Sequence, residues 1–230
     1  GFAKKWAEAP IRIIMDNVTK VLFPAIARIQ DNKEKVSQLI EKVLYYLTGI
    51  ITPTMIFSYF LMPYLLEIVP RYQKWQPALP LFNTFLLSSF LVIYYAPFIN
   101  IFNALGKVKK SLYFMLFWTL LTWIFTPILT NYFGYFGFPI THLIISFTFP
   151  LVILSTKKEI PFSFFKPIKS FIISSFFMFV GLLFFDKFYL LNNIYINFLM
   201  EIIIGILIYT AIIVLIFKTN PIEELKKINN

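Results

Sequence analysis

Six stretches of this chain run for about 18–25 residues with almost no charge, and a seventh of similar length carries charges at four-residue steps. At ~1.5 Å of rise per residue, each is long enough to cross the ~30 Å hydrocarbon layer of a bilayer as a helix. With 59% hydrophobic and 20% aromatic residues, only 14% charged residues and a mean hydropathy of +0.75, the 230 residues are far more apolar than a soluble domain, at ~45–50%. Disorder, a collagen-like repeat, a disulfide scaffold and a nucleic-acid-binding domain are all excluded by that pattern. Strands are excluded too, because alternation is absent and the spans are longer than the ~9–11 residues of a barrel strand. The expected fold is all-α: a polytopic integral membrane bundle of about seven helices, forming a single transmembrane domain over 1–230. The helices are expected near 2–29, 38–66, 79–104, 111–133, 138–155, 167–185 and 193–217. Every connector is short, so function must lie within or at the bilayer. The chain starts at Gly1 rather than Met and enters a helical pattern at once, which reads as a piece of a longer protein.

The net charge of +10 arises from 21 Lys and Arg against 11 Asp and Glu, placed mostly between the spans, where it reports orientation before ligand. With helices alternating in direction, one face collects fourteen cations: Arg28, Lys33, Lys35, Lys42, Lys107, Lys109, Lys110, Lys157, Lys158, Lys166, Lys169, Lys218, Lys226 and Lys227. The other collects five: Lys4, Lys5, Arg71, Lys74 and Lys187. The positive-inside rule makes the richer face cytoplasmic, so Gly1 is expected outside and Asn230 in the cytoplasm of a multi-pass protein of the plasma (inner) membrane. Tyr72, Trp75, Tyr132, Phe133, Tyr135 and Tyr189 fall at the external ends, as an interfacial aromatic belt would. No cysteine and a single histidine, His142, rule out thiolate metal sites, Cys nucleophiles and histidine pairs, so neither a metal nor a cofactor is expected.

The first span holds the informative pattern. Around a helix at ~100° per residue, Glu8, Arg12, Asp16, Thr19 and Lys20 share a sector of about 120°, with Ala7, Ile11, Ile14, Val18, Val21 and Leu22 opposite. A ladder of alternating sign cannot face lipid, since each central charge costs a few kcal/mol or more. Three readings follow. The ladder lines a polar cavity, or its charges neutralise one another along Glu8–Arg12–Asp16–Lys20, or the helix lies on the surface as an amphipathic anchor. Glu201, about nine residues into the last span, is protonated, paired or functional. Asn100 and Asn103 share one face of the third span and suit interhelical hydrogen bonding or ligand contact. His142 is expected at an interface, since no carboxylate stands one turn away. Asp186 and Glu67 are expected as solvated ends. Prolines 10, 24, 53, 63, 127 and 150 fall within or beside helices and can bend or end them.

Leu22-Phe23-Pro24-Ala25-Ile26-Ala27-Arg28-Ile29-Gln30-Asp31 resembles the "FPalsrl" run of polysaccharide flippases of the Wzx/RfbX type, in the MOP exporter superfamily. In register, Tyr72-Gln73-Lys74-Trp75-Gln76-Pro77-Ala78 is similar to that family's external "W..A" turn. Asn100-Ile101-Phe102-Asn103-Ala104-Leu105-Gly106-Lys107-Val108-Lys109 resembles its "N.llnalGr.k" helix end, and Phe136 through Thr141 sit where the family has a Gly-containing start to the next helix. Ala27 departs from the Ser of many relatives. The resemblance covers nearly the whole chain and implies two six-helix lobes about a central cavity. This chain then corresponds to the C-terminal lobe minus its first helix, plus two extra C-terminal helices.

By that resemblance the function is flipping of a polyprenyl-diphosphate-linked oligosaccharide for cell-surface polysaccharide, by alternating access and without enzymatic chemistry. Glu8, Arg12, Asp16 and Lys20 would line the cavity, with Asn100, Asn103 and Glu201 as secondary polar sites. The implied partners are the bilayer, the lipid-linked oligosaccharide and the missing N-terminal lobe, with no nucleic acid; a coupling Na+ or H+ is left open. The alternatives are a drug or metabolite antiporter of the same superfamily, a polyprenyl-phosphate-using membrane enzyme and a membrane scaffold.

Overall fold

The structure is a computed structural model that describes residues 1–189 and 191–215. Among these residues there is no strand, and nine α-helices follow one another: α1 (Phe2–Ile29), α2 (Lys33–Ile68), α3 (Leu79–Val92), α4 (Ala96–Ala104), α5 (Val108–Phe133), α6 (Gly137–Ser146), α7 (Phe149–Lys157), α8 (Phe165–Phe188) and α9 (Ile194–Leu215). The expected end of the last helix at 216–217, with Lys218, Lys226, Lys227 and Asn230, lies outside the described residues.

Five stretches are long and apolar enough to cross a membrane: Lys33–Ile68, Pro70–Ala104, Val108–Lys157, Phe165–Phe188 and Ile194–Leu215. Val108–Lys157 folds back on itself. The 26 residues of α5 already reach ~39 Å, and Gly134, at φ 56°, turns the chain so that α6 packs back along α5. The 28 residues of α1 equal the others in length but carry the charge ladder. The protein is thus an all-α membrane helix bundle, and among the described residues each of the seven expected spans is built of helix.

Two of them, expected to be continuous, are broken. Between α3 and α4, Tyr94 and Tyr95 donate their backbone N–H groups to Leu91 and Val92 as tight turns, and Pro97 then has no N–H to offer the preceding turn. Between α6 and α7, Thr148 donates its N–H to the Ile145 carbonyl just before Pro150. Pro10, Pro24, Pro53, Pro63 and Pro127 stay inside unbroken helices. The difference lies in what replaces the lost bonds. The Thr148 hydroxyl donates to the Ile145 carbonyl at 2.7 Å and accepts the Trp118 indole N–H at 2.9 Å, while the Tyr95 ring packs 4.9 Å from that same indole. One α5 side chain therefore touches both breaks.

By contact, the chain forms two compact units, Gly1–Leu47 with Pro77–Pro167, and Thr48–Gln76 with Ile168 onward. In the first, α1 packs on α3 and α4, α3 on α6, and α5 on α4 and α6. Phe82, Phe98, Phe102 and Ile26 are fully buried there. Its connectors are stapled by polar contacts: the Ser37 hydroxyl donates to the Pro161 carbonyl at 2.7 Å, and Glu41 accepts the Ser163 N–H at 2.6 Å. Lys110 and Lys107 both pair with Glu159, and the hydrogen bond donated by Lys110 is the main cause that holds this carboxyl below its ordinary range. In the second unit the C-terminal half of α2 packs with α8 and α9 around Phe60, Met178 and Leu182. Polar links between the helices accompany this core: Ser175 donates to the Thr52 hydroxyl at 2.8 Å and Tyr209 to the Gly49 carbonyl at 2.7 Å.

Gly137 shows how closely α5 and α6 approach. A Cβ there would collide with the backbone of Leu129 and Thr130, atoms that cannot rotate away. Gly137→Ala is therefore expected to force the two helices apart and lower stability by about 1–3 kcal/mol. Thermal unfolding of the detergent-purified protein checks this, with Gly1→Ala, in open space, as the matched control.

Candidate functional site

The charged face of α1 is set by how its other face packs. Ala3, Ala7, Ile11, Leu22 and Ile26 are buried, at the three-to-four-residue spacing that one helix face requires, and α1 contacts α3 and α4. Ile14 and Val18 are half-buried beside them. Val21, expected on that packed side, is instead 70% exposed, and Ile13 is 66% exposed. Asn17 lies exposed between them and donates its amide to the Ile13 carbonyl at 2.8 Å. The remaining sector carries the charges, and Arg12, Asp16 and Lys20 are exposed along it while Glu8 is half-buried. From Glu8 to Lys20 the row extends ~18 Å along the helix.

Its upper part is a connected network. Arg12 Nη2 donates to Glu8 Oε2 at 3.2 Å, and Lys4 Nζ lies 3.6 Å from Glu8 Oε1. The same ammonium stands 3.3 Å from His142 Nε2 on α6 and 5.1 Å above the Phe138 ring. Lysine only donates, so this bond requires His142 Nε2 as an acceptor. His142 is therefore tied to the ladder through Lys4, a residue on another helix that its own sequence neighbours do not reveal. Among the described residues, Asp16 and Lys20 make no ion pair. The neutralising chain Glu8–Arg12–Asp16–Lys20 thus forms only at its first step, which leaves a carboxylate and an ammonium open on the exposed face.

Lower down, Asn100 on α4 donates its amide to the Thr19 hydroxyl at 3.1 Å. This makes Asn100 an interhelical tie to the charged helix, as one of its two expected roles required. Asn103 is half-buried one turn further along α4, outside that bond. Glu201 belongs to the second unit, where it is fully buried; Asp186, expected as a solvated end, is exposed but accepts the Tyr64 hydroxyl at 3.3 Å. Glu67 is exposed, as a solvated end should be. Among the described residues no three His, Asp or Glu side chains come together as a metal's donor set.

Chemically, the α1 face offers a guanidinium, an ammonium and two carboxylates in one row, on a helix whose back is anchored at both ends. It can hold an anion by charge-assisted hydrogen bonds without covalent chemistry. Residues 1–80 match the family described as polysaccharide biosynthesis protein. The matched segment contains the whole charged helix, the Leu22–Asp31 run and the Tyr72–Ala78 turn, in line with a flippase of the Wzx type. No curated protein matches the chain. The match over residues 1–80 supports a role in polysaccharide synthesis or export.

Proposed function

We propose that this chain is part of a flippase that moves a polyprenyl-diphosphate-linked oligosaccharide across the plasma membrane by alternating access. The observation that carries the reading is the exposed row Arg12, Asp16 and Lys20 on an anchored helix, within a segment matched to polysaccharide biosynthesis. A diphosphate cannot cross hydrocarbon unaided. The planar fork of Arg12 and the ammonium of Lys20 supply donors of the right charge, and Glu8 orients Arg12 through the 3.2 Å bond. Asp16 keeps the row near neutrality, so that cargo is released rather than trapped. The saccharide occupies the hydrated side of the row and the polyprenyl chain stays in lipid, while a facing lobe of the same transporter closes over the stripe.

The broken helices support the same reading, because transporters bend where helices are discontinuous, and the two breaks of the first unit meet at Trp118. A drug or metabolite antiporter is the second reading, favoured only by the mixed signs of the row. Reconstitution separates them. In liposomes, the full-length protein should expose a labelled lipid-linked saccharide to an added glycosidase on the opposite side. Efflux of organic cations with no saccharide translocation would favour the antiporter.

The cation count adds an orientation to this proposal, with Gly1 outside. Reporter tags at 106–110 and 156–160 are expected to be reached from the cytoplasm, and one at 72–76 from outside; the reverse labelling would overturn it.

A further inference from the structure

Within the second unit, the C-terminal ends of α2 and α8 and the N-terminal part of α9 bring together three oxygen-bearing side chains. Glu201, the eighth residue of α9 and about 10 Å along it, has no exposed surface. Neither of its carboxyl oxygens has a hydrogen-bond partner among the described residues, and no cation among them pairs with it. Tyr64 on α2 is the polar group nearest in effect. Its hydroxyl is close enough to interact with Glu201, while the hydrogen bond it completes goes to Asp186 Oδ1 at 3.3 Å. Asp186, on α8, is exposed. The other groups nearby are already engaged: Lys187 lies over the Phe188 ring at 5.4 Å, and the Asn197 amide is held by the Leu191 backbone. One turn beyond Glu201, a Cβ on Gly205 would stand 2.6 Å from the Phe57 ring, so the wall below the carboxyl is closed.

A carboxylate buried in this way would lose its hydration and gain no partner, whereas the acid form gives up much less. No cation among the described residues offsets the charge, and no hydrogen bond to the carboxyl is completed, whereas a purely structural carboxyl would be expected to bond fully to its neighbours. We propose that Glu201 is a proton-binding site of the second unit, which exchanges its proton with the aqueous side through Tyr64 and Asp186. In the release direction, rotation of Tyr64 lets its oxygen accept the proton of Glu201 as its own hydroxyl proton passes to the Asp186 carboxylate. Reprotonation runs the same two transfers backwards. The site stands apart from the α1 row, and its test does not require that row to carry saccharide.

The full-length protein in lipid nanodiscs can be tested by infrared spectroscopy across pH. The carbonyl stretch of a protonated carboxylic acid should be present and should vanish in Glu201→Gln. Transfer to D2O should shift that band, and Tyr64→Phe should slow the shift severalfold while leaving the band itself. A hydrophobic carbodiimide, which attacks only the protonated acid, should modify Glu201 in the unsubstituted protein, so the test survives a variant that fails to fold. Sodium at constant pH should change neither result. An acid band unaltered in Glu201→Gln, or the absence of both band and adduct, would overturn the proton site. Loss of band and adduct on adding sodium would make it a sodium site instead. An undiminished exchange rate in Tyr64→Phe would remove the relay.

Discussion

Arg12→Lys, introduced into the full-length protein, is expected to leave membrane abundance at the parental level and to cut glycan export roughly tenfold or more. The charge survives the change, and so does much of the attraction to Glu8, now 3.2 Å from the guanidinium. What disappears is the planar fork that can donate two parallel hydrogen bonds to one phosphate. Losing one charge-assisted bond costs about 1.5–3 kcal/mol, a factor of roughly ten to a hundred. Arg12→Ala is the less informative variant. It also takes from Glu8 its guanidinium partner at 3.2 Å and leaves the two carboxylates of the row, Glu8 and Asp16, without the cation between them, so lost export would mix a folding defect with a lost contact. Complementation of a flippase-deficient strain, with abundance measured alongside, reads both quantities. Full export from Arg12→Lys would mean that the fork is not what the cargo uses.

The double variant Pro97→Ala, Pro150→Ala is expected to lower export severalfold without lowering thermal stability. Each proline sits in the first turn of its helix, where its missing N–H costs little, but in the interior of one continuous helix it would cost about 3 kcal/mol. Restoring those donors lets α3 run into α4 and α6 into α7. A first unit with two continuous helices in place of two jointed ones is stiffer at the level of Trp118, where both breaks meet. Pro127→Ala, at a proline inside the unbroken α5, is the control and should leave export near the parental level. Unaltered export in the double variant, with the helices shown to be continuous, would mean that the breaks are features of packing alone.

These two expectations mark where sequence reasoning reached and where it stopped. The spans were legible because hydrocarbon leaves an unpaired backbone no alternative to a helix, so apolar length alone predicts α2, α5, α8 and α9. The charged face of α1 was legible for a similarly local reason: Glu8, Arg12, Asp16 and Lys20 return to one side every four residues whatever surrounds them. The breaks were not. A break precedes Pro150, which then starts α7, and none falls at Pro127, and the sequence around each offers no rule for choosing. The choice rests on Thr148 finding Trp118, 30 residues away. His142 is the sharper case, since the Lys4 that engages it lies 138 residues earlier. The spacing of carboxylates along its own helix carries no trace of a contact that α1 supplies. Glu201 was recognisable as an expensive residue from its place in α9. That no hydrogen bond to its carboxyl is completed depends on Tyr64 having bonded to Asp186, which only the packing of three helix ends decides.

The neutral triple variant Glu8→Gln, Arg12→Gln, Asp16→Asn bears most directly on the claim that the α1 row belongs to the transport path. It removes three charges together and breaks the Glu8–Arg12 pair from both sides; Lys4 loses its ion pair with Glu8 but keeps His142, and the packed face of Ala7, Ile11, Leu22 and Ile26 is untouched. Glycan export and membrane abundance should be measured together in a flippase-deficient strain carrying the full-length variant. Parental abundance with export lost is the predicted result. Parental abundance with parental export would contradict it, and would make the row a structural feature of the helix.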